Sequence, residues 1–202
     1  MRIIAGKFRG RKLSCPKVVT RPTLDRVREA LFSILGDLAG QNVVDFYAGS
    51  GALGLEALSR GARHVTLVEA DRQACQVIRK NVEGWGIEGA YRVLESAAER
   101  ARGALAPSAP IDLVLADPPW KIAKEAAVAV PQVVQGLLSE AAIVVLGHAA
   151  RARIHFRDGA AEHAGHGVGG VVLRGETREA RAVVGERQQD PEALGGQAVR
   201  LH

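Results

Sequence analysis

Residues 117–120 read Asp-Pro-Pro-Trp, an acid followed by two rigid residues and an aromatic plane. Pro118 forces Asp117 into extended geometry. Two consecutive prolines fix φ twice and remove two N–H donors. The segment is therefore stiff and presents acceptors, namely the Asp117 carboxylate and the main-chain carbonyls near Pro118. A primary aromatic amine carries two N–H donors that suit such acceptors, and Trp120 offers a face on which a planar base can stack. Asp117, Pro118, Pro119 and Trp120 are thus the candidate catalytic residues, and the exocyclic amine of a nucleobase is the group they suit.

A second constellation lies upstream. Gly49, Gly51 and Gly54 satisfy the pattern G-x-G-x-x-G, and Glu69 stands at the end of the next apolar run, where a ribose-binding acid is expected. Alone, this short pattern suggests a nicotinamide enzyme. Asp45, four residues before Gly49, argues otherwise. A dinucleotide brings a pyrophosphate into this turn, and a carboxylate beside that anion is repelled at low local dielectric. S-adenosylmethionine carries no phosphate. Its ammonium and sulfonium favour a nearby carboxylate, and its ribose diol suits Glu69.

The elements that must position these residues follow from the hydrophobic pattern. Val43–Phe46 reads as a buried strand, 47–51 as a glycine-rich loop and 52–60 as a helix. HVTLVEAD (64–71) is a second strand, RQACQVIRKNVEGWG (72–86) a helix stopping near Gly86, and YRVLE (91–95) a third strand. IDLVLA (111–116) is the fourth strand, AAVAVPQVVQGLLS (126–139) a helix broken at Pro131, and AAIVVLGHA (141–149) the fifth strand. Strands alternating with helices at this spacing make a parallel sheet covered on both faces. In such a doubly wound sheet the ligand crevice opens at the strands' carboxyl ends, near the switch between strands one and four. Asp45 and Asp117 end those two strands and are expected to face one crevice.

The stretch TLDRVREALFSILGDL (23–38) places Leu24, Val27, Leu31, Ile34, Leu35 and Leu38 at helical spacing, with Thr23 as N-cap and Asp25 in the first turn. Arg26 and Arg28 lie off this stripe and are expected to face outward. From about 149 the character changes. A short hairpin is expected near 168–173 and 180–184, and the last eighteen residues read as loose. His155, His163 and His166 fit no standard metal spacing, so no metal site is expected. Cys15 and Cys75 are read as two reduced thiols.

The chain has 202 residues and a formal net charge of +5. Residues 1–30 hold nine basic side chains and two acids, so the rest of the chain is net acidic. Such a block favours polyanions. Its interleaved Ile3, Ile4, Phe8 and Leu13 suit a strand or hairpin that presents the cations rather than a solvated tail. No apolar run of membrane-spanning length and no signal-peptide pattern is seen, so a cytoplasmic protein is expected.

These motifs carry a resemblance. DPPW resembles the [D/N]-P-P-[Y/F/W] motif of methyltransferases acting on exocyclic amines of nucleobases. MRIIAGKFRGRKL, TRPTLDRVREALFSIL, VVDFYAGSGALGLEALSRGA and VEAD, in that order, resemble the RsmD type of 16S ribosomal RNA guanine-N2 methyltransferase over roughly residues 1–148. The resemblance implies a Rossmann-like class I fold with sheet order 3-2-1-4-5-7-6, the last two strands being open. It implies a basic RNA-binding extension (1–22), a methyltransferase core (23–148) and a divergent C-terminal segment (149–202). The implied cofactor is S-adenosylmethionine, held by Asp45, Ala48, Gly49, Gly51, Glu69, Ala70, Glu95, Ser96 and Asp117. Asp117 and Pro118 are implied to contact the amine and Trp120 to stack on the base. Arg2, Lys7, Arg9, Arg11, Lys12, Arg21, Arg26 and Arg28 are implied to hold RNA. The implied partner is 16S ribosomal RNA in the 30S subunit, bound by a monomer. The chain departs from the family pattern in three places. Glu95 or Ser96 stands where an adenine-binding Asp is usual, Gly147-His148 replaces an acid-His pair, and the closing hairpin motif is not visible. Open alternatives are an adenine-N6 methyltransferase on DNA or RNA, a nicotinamide oxidoreductase and a non-catalytic RNA-binding descendant.

Overall fold

The five runs that read as strands form the parallel part of one sheet. The computed structural model describes residues 1–16 and 25–149, together with the backbone of strands at 168–176, 179–184 and 198–199. The strands are β1 (Asn42–Phe46), β2 (His64–Glu69), β3 (Tyr91–Glu95), β4 (Ile111–Ala116), β5 (Leu138–Ala149), β6 (Val168–Glu176), β7 (Glu179–Val184) and β8 (Ala198–Val199). The helices are α1 (Asp25–Leu35), α2 (Ala52–Ser59), α3 (Arg72–Asn81), α4 (Arg102–Leu105) and α5 (Ala123–Val134). The sheet order is β3-β2-β1-β4-β5-β6-β7-β8, parallel through β5 and antiparallel beyond it. No helix among the described residues is long and apolar enough to cross a membrane.

β1 lies between β2 and β4, and every one of its residues is buried. Alternate residues feed two cores, as strand geometry requires. Val43, Leu67 and Leu115 pack with Leu55 of α2 and Ile78 of α3 on one face. Val44, Phe46 and Val68 pack with Leu105 of α4 and Val130 and Val134 of α5 on the other. Asp45 shares the first face with Val43, an acid in an otherwise apolar row.

Several expectations are corrected. The sheet finishes 5-6-7 rather than 5-7-6. The continuously apolar run of β6 (Val171–Leu173) pairs with Val144–Leu146 of β5, and the shorter β7 takes the place beyond it. Two residues of the expected loose tail, Ala198 and Val199, pair with β7 as β8. α5 continues through Pro131, and just beyond it the Arg102 guanidinium donates to the carbonyls of Gln132, Val133 and Gln135. α3 stops at Asn81, earlier than Gly86. In α1 the fully buried line is Arg28 and Phe32, one helical turn apart, while Ile34 of the expected stripe is 53% exposed. Thr23, Leu24 and the three histidines at 155, 163 and 166 lie outside the described residues.

Candidate active site

The crevice at the carboxyl ends of β1, β2 and β4 is built by hydrogen bonds between successive loops. The glycine loop leaves β1 at Tyr47. Gly49 donates its N–H to Glu69 Oε2 at 2.8 Å, and Glu69 Oε1 accepts from the N–H of Asp71 at 2.8 Å. Ser96 donates its N–H to the Glu69 carbonyl at 2.9 Å, so the loops after β1, β2 and β3 converge on one residue. Gly49, Gly51, Glu69, Ala70, Glu95 and Ser96, predicted to hold the cofactor, therefore stand on neighbouring strand ends. Ala48 is buried beneath the loop, while Ala70 and Glu95 are exposed.

Asp45 is turned under α2. Its Oδ2 accepts the N–H of Gly54 at 2.8 Å, within the first turn of the helix, and only 1% of the residue is exposed. Here a carboxylate meets the positive end of the helix backbone. Gly54 is required by close approach, since a β-carbon there would lie 2.9 Å from Val65 Cγ1 and 3.1 Å from Asp45 Oδ2. Burial pushes the Asp45 carboxyl up to about 8; the Gly54 N–H opposes this, and the charges of Asp117 and Glu69 push it further up. Asp45 thus lies beneath the glycine loop, within reach of the Glu69 and Asp117 charges at the neighbouring strand ends. A cationic ligand relieves this mutual repulsion, whereas a pyrophosphate adds to it. On that observation the residues fit S-adenosylmethionine.

On the β4 side, Asp117 is half-buried, Pro118 is buried, and Pro119 and Trp120 are exposed. Trp120 opens a single 3-10 turn, Trp120–Ile122, that leads into α5, and it is 56% exposed. The aromatic plane is therefore set at the mouth of the crevice while the acid sits at its wall. Tyr47 was not singled out by the sequence pattern, yet its φ of 56° is the one positive value at a described residue other than glycine. That conformation is costly for a bulky side chain and marks a constrained loop. Its hydroxyl lies 3.5 Å from Glu99 Oε1, and burial pushes its pKa up to about 12, with the Glu99 charge adding to the shift.

The basic block forms a hairpin-like turn clamped to α2. Arg2 and Lys12 bridge antiparallel, Ile3 donates its N–H to the Arg11 carbonyl at 3.0 Å, and Gly10 donates to the Ile3 carbonyl at 2.9 Å. Ile3, Phe8 and Leu13 enter the core beside α2. Glu56, fully buried, accepts the N–H groups of Ile4 at 2.7 Å and Ala5 at 3.0 Å. The Ser59 hydroxyl accepts from the N–H of Phe8 and donates to the carbonyl of Ala5. Asn81 accepts the N–H of Ser14 and donates to the carbonyls of Ser14 and Ser50. Glu56, Ser59 and Asn81 carry no motif, and the sequence pattern missed them.

This clamp presents cations. Arg2, Lys7, Arg9, Arg11, Lys12 and Arg26 are exposed. Phe8 and Trp85 pack with ring centroids 4.8 Å apart, and the Arg11 guanidinium lies 5.1 Å from the Trp85 ring centre. Such stacking fixes the plane of an arginine. Arg28 is the exception. Predicted to face outward, it is fully buried, and its Nη2 donates to the Arg2 carbonyl at 2.6 Å and to Asp25 Oδ1 at 2.8 Å. Its stem shares the buried line of α1 with Phe32, so it braces the hairpin from beneath. Arg21 lies outside the described residues.

Comparison with known proteins agrees with this geometry. The family model described as Conserved hypothetical protein 95 matches residues 1–170. A relative in Escherichia coli, Ribosomal RNA small subunit methyltransferase D, is 45% identical over 124 residues, which span 60% of this chain and 61% of that protein. The match thus covers about three fifths of that relative's length. A solved Streptococcus pyogenes conserved hypothetical protein is 33% identical with a TM-score of 0.63, covering 75% of this chain and 96% of the other. A solved Thermus thermophilus hypothetical protein, TTHA0928, is 29% identical with a TM-score of 0.68, covering 88% and 99%. With the sheet order, these likenesses give the class I methyltransferase fold.

Proposed function

The chain belongs to the family described as Conserved hypothetical protein 95, the RsmD-type methyltransferases, and from that premise we propose that it methylates the exocyclic N2 amine of a guanine in 16S ribosomal RNA, on assembled small-subunit particles. The observation that carries the proposal is the glycine loop tied to Glu69 through the Gly49 N–H, with the loop's own strand β1 lying between the strands that end at Glu69 and just before Asp117. The basic hairpin adds the RNA arm, because α2 starts at the glycine loop and holds the hairpin through Glu56 and Ser59.

S-adenosylmethionine supplies, when bound, a methyl group on a sulfonium. The chain's own residues do the rest. Glu69 and the loop it holds at Gly49 bind the donor, Glu69 accepting from the ribose. Asp117 and the Pro118 carbonyl accept the two amine hydrogens. The guanine N2 lone pair is delocalised into the ring, and these hydrogen bonds localise it and offset the positive charge that grows on nitrogen. The donor would supply its methyl group to the amine nitrogen, and Asp117 or water would take the amine proton. Trp120 stacks on the base, which must leave its own stack to reach the crevice. Holding amine and methyl in near-attack contact supplies much of the rate.

The test is transfer of a tritiated methyl group to undermethylated 30S particles and to naked 16S RNA, followed by mapping. Label on a guanine N2, more on particles than on naked RNA, is expected. Label on adenine N6 supports the other amine methyltransferase. A chain that binds the donor and transfers nothing is a non-catalytic descendant. A chain that binds NAD in calorimetry and not S-adenosylmethionine is an oxidoreductase.

A further inference from the structure

Beyond the end of α3, residues 82–86 make a tight turn against the basic hairpin. Trp85 donates its N–H to the Val82 carbonyl at 3.0 Å, and Gly84 and Gly86 on either side of it have φ of 70° and 65°. A β-carbon on either glycine would meet open space, so the left-handed backbone rather than crowding calls for glycine there. The turn sets Trp85 inward. It is 8% exposed, and its ring lies 4.8 Å from that of the buried Phe8.

Two cations of the hairpin sit on this aromatic pair. Arg11 Cζ lies 5.1 Å from the Trp85 ring centre and 5.4 Å from that of Phe8, and Lys7 Nζ lies 5.3 Å from the Phe8 centre. Of the two, Arg11 is the one that touches both rings. Arg9, on the same turn and also exposed, has no ring contact among the described residues. Attraction of a cation to a ring face consumes none of its N–H groups. Among the described residues the Arg11 side chain makes no hydrogen bond and no ion pair, so its donors remain for a ligand. An arginine held in this way meets a phosphate as a fixed fork, whereas a lysine meets it as a point charge. Ordering a free side chain on binding costs roughly two- to tenfold in affinity, and a side chain ordered beforehand avoids that cost.

We infer that Trp85 is a positioning residue for RNA binding: with Phe8 it seats the Arg11 guanidinium, so that the hairpin carries one fixed fork for a phosphate of the RNA backbone. The inference rests on the RNA-binding reading above. It makes position 11 specific for arginine, while position 9 needs only a positive charge. It also gives a role in binding to Trp85, which lies outside the basic block and carries no charge.

The experiment is a double-mutant cycle of Trp85→Leu with Arg11→Gln. It is read by filter binding to undermethylated 30S particles, by thermal melting and by the proton NMR signals of the Arg11 side chain. In the wild-type chain the Arg11 methylene protons are expected to show an upfield ring-current shift, which Trp85→Leu reduces and Trp85→Phe largely keeps. Trp85→Leu is expected to weaken binding roughly three- to fivefold. In the Arg11→Gln background it is expected to add no more than roughly 1.5-fold, because the fork it seats is gone. Arg11→Lys is expected to lose about as much as Trp85→Leu, and Arg9→Lys to bind as the wild type does. Equal losses from Trp85→Leu in both backgrounds make its role merely structural and overturn the inference. So do unshifted Arg11 protons, or lysine variants at positions 9 and 11 that lose alike. The lysine variants change no core residue, so if Trp85→Leu fails to fold they decide the matter together with the ring-current shift. A wild-type chain that does not bind the particles overturns the RNA-binding reading and the inference together, whereas binding without coupling overturns the inference alone.

Discussion

Glu56 accepts the backbone N–H of Ile4 at 2.7 Å from inside the core, with no exposed surface of its own. One helix therefore carries two loads. Its first turn gives the Gly54 N–H to Asp45 beneath the glycine loop, and its fifth residue holds the basic hairpin. Asn81 closes the circuit by joining Ser14 at the hairpin's end to Ser50 in the loop.

Glu56→Ala leaves two half-buried N–H donors, of Ile4 and Ala5, without their acceptor and removes the partner of Arg60. Losing a charged acceptor from two half-buried donors costs about 1–3 kcal/mol. Urea denaturation is expected to show a loss of that size, with RNA affinity falling as the hairpin comes away. Glu56→Gln, which keeps one acceptor, is expected to lie between the two.

Gly6→Ala and Gly10→Ala separate strain from space. Both residues have φ near +80°, which costs an alanine about 1 kcal/mol. A β-carbon on Gly10 meets open space, whereas one on Gly6 collides with the backbone carbonyl of Ser59. Thermal melting is expected to place Gly10→Ala a few degrees below wild type and Gly6→Ala well below that.

Asp45 makes stability depend on pH. Its carboxyl is raised from 3.8 to about 8 by burial, so the native state holds the proton more tightly than the unfolded chain. The stability this gives is complete below about pH 4 and is lost as pH rises through about 8. The melting temperature is expected to fall across that window, and Asp45→Asn is expected to flatten the fall. A cationic donor favours the ionised carboxylate, so donor affinity is expected to rise with pH over the same range.

Charge reversal at Arg9 and Arg11, both exposed, is expected to weaken RNA binding and to flatten its dependence on salt. Arg28→Ala is expected to behave differently. With its side chain buried under the Arg2 carbonyl, it should lower thermal stability more than it changes the salt slope. Filter binding across a salt series, beside melting curves, checks both.

Asp117→Ala is expected to lose most single-turnover methyl transfer, by at least 100-fold, while donor Kd changes less than threefold. Near-normal transfer would remove the carboxylate from the chemistry. A collapse of donor binding would move Asp117 to the cofactor side of the site.

How much of this was written along the chain depends on distance in sequence. The five parallel strands, the glycine loop and the three acids at strand ends were legible because each rests on local periodicity and on rules about where strands end. Asp45, Glu69 and Asp117 stand on neighbouring strands because parallel strands bring their carboxyl ends together, which alternating elements already imply. The anchors of the hairpin were not legible. Glu56 and Ser59 lie more than fifty residues from the N–H groups they hold, and no local pattern encodes such a pairing. Periodicity showed that α1 has a buried side but set it about one position off. What packs on a helix, and so whether Arg28 faces water or the Arg2 carbonyl, is decided by the segment that docks there. The place of β6 beside β5 is likewise a property of neighbours in space. Sequence determined which groups stand at the strand ends, because strand periodicity is local, and tertiary packing decided which of them are held, buried or given room.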